Sequence, residues 1–393
     1  MSSLTAYIIA GETSGDILGA RLMQSLKEQK PNTEFYGVGG AQMAEQGLQS
    51  LFPMNDLSVM GIAEILPRLP KILRRIRQTV DHIIKTKPDI VITIDSPDFC
   101  FRVAKKLRDR MGDDCPPLIH YVAPTVWAWR PERAKKIAAL YNGIICLFPI
   151  EPPYFEKEGM KAIFTGHPAI EKYQAHDEEA GLKLRKELNI SENAKVMGLL
   201  FGSRIGEIHR MGPILRQAAF QHIKGSNEDI HILAPTLPYL RKDVRNLLES
   251  MPCHAHIIDD QSRKWDCFGA MDYALATSGT VGLELAIANV PHVIGYKVNY
   301  LTWRIVRSKI NIEFAHLANI LRNKLIIPEH IQLSCTAQGL RDSLDSIALE
   351  SQQNEFSALR KMLSGDTSKT PSDQAAEFVL NCLSDHQATK KAA

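Results

Sequence analysis

The chain has 393 residues, and 47 Lys and Arg against 44 Asp and Glu leave a formal charge of +3. That length exceeds one ordinary core and predicts roughly two domains of about 150–200 residues each, while 45% hydrophobic and 23% charged residues exclude wholesale disorder. The near-neutral balance and lack of a recognition module argue against nucleic acid, and no uncharged apolar run reaches the ~18 residues of a membrane span. Seven scattered cysteines form no CxxC or Cys/His cluster, so neither a disulfide frame nor a zinc site is supported. The start, Met1 to Ala10, lacks the basic segment of a secretory signal, and the reducing cytosol is the expected compartment.

Along the chain, short apolar runs alternate with helical patterns. Tyr7–Ala10, Phe35–Val38, Asp89–Ile94, Leu118–Val122 and Gly143–Phe148 read as buried parallel strands of βαβ units. A polar stretch from Glu171 to Asn193 reads as a connection. A second series follows in Val196–Phe201, Asp229–Ala234, His256–Ile258, Tyr273–Ala276 and His292–Tyr296. The tail from about Thr336 is helix-permissive, with Ala388–Ala393 expected to fray. The expected fold is α/β, with two doubly wound lobes facing a cleft. Ligands of such sheets bind beyond the carboxyl ends of the strands.

The first strand ends in Gly11-Glu-Thr-Ser-Gly-Asp16, where Glu12 could face the cleft and Ser14 or Asp16 could cap the next helix. A capped βα turn is the structural alternative. Asp95-Ser-Pro-Asp98 follows another strand directly. There a carboxylate is paired, capping or catalytic, or both aspartates are simple turn formers. The DxxD spacing suits a metal site as well, but nothing nearby completes one. Gly37-Val-Gly-Gly40 approaches a dinucleotide fingerprint, yet Gln42 stands where the last glycine belongs, so NAD is not supported. Trp127 and Trp129, with Arg130 and Arg133, either line an acceptor or phosphate site or pack an interlobe face.

Two loops of the second series suit a nucleotide diphosphate. Gly202, Ser203 and Arg204 supply backbone N–H groups and a guanidinium. Ser278, Gly279 and Thr280 supply donors at a helix N-terminus, and Glu284 one turn on could accept from a ribose. There is no P-loop motif. Leu57–Arg77 mixes apolar residues with basic ones: Arg68 to Arg77 holds five cations and no acid. Ile72, Leu73, Ile76 and Val80 recur at helical spacing, with Pro70 as a plausible first helical residue. The stretch is either a solvated basic face over a buried stripe or an interfacial element for anionic lipid.

Ala10-Gly-Glu-Thr-Ser-Gly-Asp-Ile-Leu-Gly19, Val59-Met-Gly-Ile-Ala-Glu64, Asp95-Ser-Pro-Asp-Phe99, Val126-Trp-Ala-Trp-Arg130, Gly202-Ser-Arg204 and Ser278-Gly-Thr280 with Glu284 together resemble the lipid-A-disaccharide synthase family over about residues 6–333. The resemblance implies a GT-B fold, two Rossmann-like lobes with boundaries near 1–168 and 169–344, and a C-terminal segment (345–393) packing back on the first lobe. It implies an inverting transfer from UDP-2,3-diacylglucosamine to 2,3-diacylglucosamine 1-phosphate (lipid X), giving a β-1,6 disaccharide 1-phosphate and UDP. It assigns Asp95 as candidate base, Glu12 as a required carboxylate, and Arg204, Glu284 and Asn319 to the UDP side. No cofactor or metal is implied; a homodimer with exchanged C-terminal parts is. Phe201 stands where the family commonly has Pro, His316-Leu-Ala-Asn319 where Ser-Leu-Pro-Asn is usual, and Ala123 and Thr125 where serines are usual.

On this reading Asp95 deprotonates the acceptor hydroxyl, and Arg204 with the Ser278–Thr280 amides stabilises departing UDP. Met60, Leu66, Leu69, Ile72, Leu73 and Arg74 receive acyl chains at the anionic inner-membrane surface of the cytoplasm. Two rivals remain: another UDP-sugar enzyme of this fold (an epimerase, or a transferase to a soluble acceptor), and a non-catalytic peripheral protein that binds UDP-sugar.

Overall fold

The structure is a computed structural model. It describes residues 3–57, 62–128, 131–174, 176–177, 179–298, 313–366 and 368–392, with the backbone alone for 62–68 and 392. The chain forms two compact units: residues 1–168 with 363–393, and residues 169–362.

In the first unit, β1 (Thr5–Ala10), β2 (Glu34–Val38), β3 (Gln49–Ser50), β4 (Ile90–Ile94), β5 (Leu118–Tyr121), β6 (Gly143–Cys146) and β7 (Lys161–Phe164) make one parallel sheet ordered 3-2-1-4-5-6-7. The strands read as continuous apolar runs because both faces are covered. Ala6, Ile8 and Ala10 point to the side of Leu18, Leu22 and Leu26 on the Thr13–Gln29 helix. Tyr7 and Ile9 point to the other side, toward Ile76, Val80 and Ile83 and the Pro97–Met111 helix. The C-terminal Pro371–Ala392 helix lays Ala375, Ala376, Val379, Cys382 and Leu383 into the first of these cores.

The second unit repeats the plan. β8 (Lys195–Leu200), β9 (Ile230–Pro235), β10 (Ala255–Ile258), β11 (Tyr273–Thr277), β12 (His292–Tyr296) and β13 (Glu329–Ile331) form a parallel sheet ordered 10-9-8-11-12-13. Two short strands, β3 and β13, carry mainly polar residues and give no strand signal, while β7 offers only the three-residue apolar run Ala162–Phe164 and no fully buried side chain.

Several expectations are corrected. The return to the first unit begins at Leu363, not at 345. The Leu349–Leu363 helix stays with the second unit because Phe356 is fully buried against the His292 ring and Gln352 bonds both backbone groups of His292, at 2.8 and 3.1 Å. The stretch read as a connection contains the Ala180–Glu187 helix, with Leu184 fully buried and Arg185 paired to Asp272 at 2.8 Å. The helix read as starting at Pro70 begins at Ile62. The final helix extends through Ala388 to Ala392, past the end expected from the sequence.

Candidate active site

In each unit the site is built where two neighbouring strands send their connections in opposite directions. For the first sheet that point lies between β1 and β4, with Ala10 opposite Ile94. Glu12 and Asp95 therefore leave adjacent strand ends. Gly11 is held against the next loop: a Cβ there would lie 2.2 Å from Ser96 Oγ. Asp95 and Ser96 both adopt left-handed backbone (φ 51° and 45°), as does Val122 (φ 77°) at the end of β5. Such conformations cost about 1–3 kcal/mol each and persist where surrounding structure enforces them. Here the Asp95 N–H donates to Tyr121 O at 2.9 Å and the Val122 N–H to Ile145 O at 3.0 Å. The Asp95 carboxyl is half-buried, and this burial raises its pKa above the ordinary aspartate value, opposed in part by a backbone bond from Ser96.

Glu12 occupies the cap position of the Thr13–Gln29 helix without a side-chain capping bond. Asp16 does not cap that helix either. Its buried carboxylate accepts the N–H groups of Gly40 (2.7 Å), Gln42 (3.0 Å) and Met43 (3.1 Å), capping the Ala41–Glu45 helix 24 or more residues away. Trp127 is buried, and its Nε1–H donates to Glu151 Oε1 at 3.2 Å, a bond within the first unit. Trp129 and Arg130 lie outside the described residues.

In the second sheet the corresponding point falls between β8 and β11. A cavity of about 500 Å³ opens there, lined by Gly202, Ser203, Arg204 and Glu207 after β8, Thr236 after β9, Lys264 beyond β10, and Ser278, Gly279, Thr280 and Glu284 after β11. Gly202 has φ 102°, which favours glycine. Glu207 orders the loop: it accepts from the Ser203 N–H at 3.3 Å and from Arg204 Nη1 at 2.8 Å. The Tyr239 hydroxyl donates to Ser203 O at 2.7 Å. Glu284 is ion-paired to Lys264 at 2.5 Å. The buried hydroxyls of Thr236 and Thr277, both on the cavity wall, have no partner among the described residues. Two cations, helix-start amides and unpartnered hydroxyls on one wall can bind a phosphorylated, hydroxyl-bearing ligand.

A family model described as lipid-A-disaccharide synthetase matches residues 6–380. The lipid-A-disaccharide synthase of Rhodospirillum centenum is 42% identical over 393 residues, 98% of this chain and 96% of that one. The chain belongs to the lipid-A-disaccharide synthase family. It is accordingly a glycosyltransferase. Its fold also resembles the Acinetobacter baumannii MurG crystal structure (TM-score 0.59, 12% identity, 96% of this chain and 99% of that one). A further likeness is to a UDP-GlcNAc 2-epimerase from Neisseria meningitidis bound to UDP-GlcNAc (TM-score 0.56, 15% identity, 98% and 100%).

The two-sheet fold of the lipid-A-disaccharide synthase family is present, but some assigned contacts differ. Asn319 is fully buried and its amide is spent internally: Nδ2 donates to Ile327 O and Glu329 Oε1, and Oδ1 accepts from the N–H groups of Ile326 and Ile327. It is not among the residues lining the cavity, and these bonds tie together the loop before β13. The Ser278 N–H is likewise used, on Gly295 O at 3.1 Å, leaving its hydroxyl for a ligand. Of the interfacial residues, Leu69 (37%), Leu73 (45%) and Arg74 are exposed, while Ile72 is half-buried against the core formed by Ile76 and Val80. Met60 and the Leu66 side chain lie outside the described residues. No described helix is long and apolar enough to cross a membrane. Sequence reasoning missed Glu207, Lys264, Tyr239 and Glu151. Lys264 and Tyr239 work through partners 20 and 36 residues away that the fold chooses, whereas Glu207 and Glu151 accept N–H groups from residues three or four positions earlier, within local reach.

Proposed function

We propose that the chain transfers 2,3-diacylglucosamine from its UDP derivative to the 6-hydroxyl of lipid X with inversion, releasing UDP. Asp95 takes the hydroxyl proton as the sugar C1–diphosphate bond breaks and the new C1–O bond forms. The raised pKa of Asp95 moves it toward neutrality, where a general base transfers protons most efficiently. Glu12 supports it from the adjacent strand end. Arg204, Lys264 and the first-turn amides of the Thr280–Ile287 helix stabilise the departing diphosphate, and Glu284 and the Thr236 and Thr277 hydroxyls receive hydroxyls of the nucleotide. The reported UDP-GlcNAc of the meningococcal epimerase supports a UDP-sugar in a fold of this kind.

The exposed Leu69, Leu73 and Arg74 suit contact with an anionic bilayer and support a peripheral association with the cytoplasmic face of the inner membrane. The observation that carries the catalytic reading is the half-buried carboxyl of Asp95, held in left-handed backbone at a switch point. Purified protein, with EDTA present, is expected to make disaccharide from the two acylated substrates. Asp95→Asn should lower turnover roughly 10²–10⁴-fold with donor binding retained. A variant within a few fold of wild type, or equal rates on soluble sugars, would refute the assignment.

A further inference from the structure

A second concavity in the first unit has no role in the chemistry above. The Pro97–Met111 and Arg133–Ala138 helices flank a groove of about 510 Å³. Its floor is apolar: Ile137 is buried, and Phe101 and Leu140 are half-buried. Arg102 and Lys105 line one side, Arg133 and Lys136 the other, each pair three residues apart and so on one helix face. None of the four forms an ion pair with a described residue, including Asp98 on the same rim.

Four cations around an apolar strip repel one another, and a compact anion among them relieves that repulsion. Phosphate fits best, because guanidinium groups bind it through paired hydrogen bonds. The floor in turn favours hydrocarbon. Position narrows the occupant. Pro97 and Asp98, at one end of the groove, are two and three residues beyond Asp95. Arg102 and Lys105 lie about one and two helical turns further along the same helix. A molecule with a reacting hydroxyl at one end, a phosphate at the other and acyl chains between matches that order.

We infer that this groove binds the acceptor, an acylated sugar phosphate, with its phosphate among Arg102, Lys105, Arg133 and Lys136 and hydrocarbon against Phe101 and Leu140. The inference rests on the transferase reading above. The four cations set acceptor affinity and leave the donor untouched.

The test uses the full-length enzyme in detergent micelles, with lipid X and its 1-dephosphorylated analogue as alternative acceptors. Two double variants, Arg102→Gln with Arg133→Gln and Lys105→Gln with Lys136→Gln, change mainly exposed positions and are expected to fold. Each should raise the KM for lipid X about tenfold or more, with kcat and donor KM unmoved. The preference of the wild type for the phosphorylated acceptor should collapse in both. An unchanged acceptor KM with that preference intact overturns the inference. Loss of binding to anionic phospholipid vesicles with unchanged micellar kinetics also overturns it, since the cations would then face the bilayer. A wild-type enzyme that makes no disaccharide overturns the transferase reading, and the inference with it.

Discussion

Glu151 lies 1% exposed, with Trp127, Leu147 and Phe148 donating N–H groups to its carboxyl and no ion pair to it among the described residues. Burial outweighs those three donors and pushes its pKa up to about 7, from an ordinary 4.5. An acid whose native pKa exceeds its unfolded value holds its proton more tightly when folded. Stability from this group therefore falls as pH rises from about 4.5 to about 7 and stays reduced above that. Glu151→Gln removes the titration. The Tm advantage of wild type over the variant should be largest near pH 5 and shrink toward pH 8. A constant difference across that range would mean that Glu151 stays ionised. Nothing in Glu151-Pro-Pro marks this residue in the sequence, whereas Asp95 and Glu12 were visible because they stand first and second after an apolar strand. Asn319 differs in kind: the family resemblance points to nucleotide, and its four hydrogen bonds here are all internal, with partners that no local window of sequence marks.

The Thr280–Ile287 helix, which carries Thr280 and Glu284 to the cavity, is held from behind by a histidine pair. His316 Nδ1 accepts the Ala318 N–H at 3.0 Å, capping the Leu317–Arg322 helix. Its Nε2 must then carry the proton, and it meets His292 Nε2 at 3.0 Å, while His292 Nδ1 donates to Val290 O at 2.8 Å. Burial keeps both rings neutral, with the His292 pKa pushed down to about 4 and that of His316 well below the usual value. A Cβ on Gly282 would lie 2.4 Å from His316 Nε2. Gly282→Ala should therefore cost about 1–3 kcal/mol by overpacking. His316→Ser, which keeps a capping oxygen and frees space, should reduce that cost in the double variant. Urea denaturation of the four proteins gives the coupling; an equal cost in both backgrounds would show that the contact does not limit packing. The departure of His316 from the family pattern was legible in sequence, but its partner His292, 24 residues away, was not.

For the molecule as a whole, the chain returns at Leu363 to complete a core begun at residue 4. Val379 and Leu383 are 0% and 8% exposed in that core, and burying each contributes roughly 1.5–3 kcal/mol. Deleting residues 365–393 should therefore open the first unit. Limited proteolysis read by mass spectrometry should find peptides of residues 3–168 rapidly lost and those of 169–362 still protected; equal protection of both would show that the C-terminal helix is dispensable. The two series of parallel strands were readable because a strand covered on both faces must be apolar throughout, a pattern contained in five or six residues. The glycines and carboxylates after those strands were readable for the same local reason. Only the tertiary structure decided that β1 lies beside β4 and β8 beside β11, and that Asp16 caps a distant helix. The same holds for the pairing of Lys264 with Glu284 and for the helix of residues 349–363 staying with the second sheet. Those choices depend on which segments the folded chain brings together across tens to hundreds of residues, and no local window of sequence contains that.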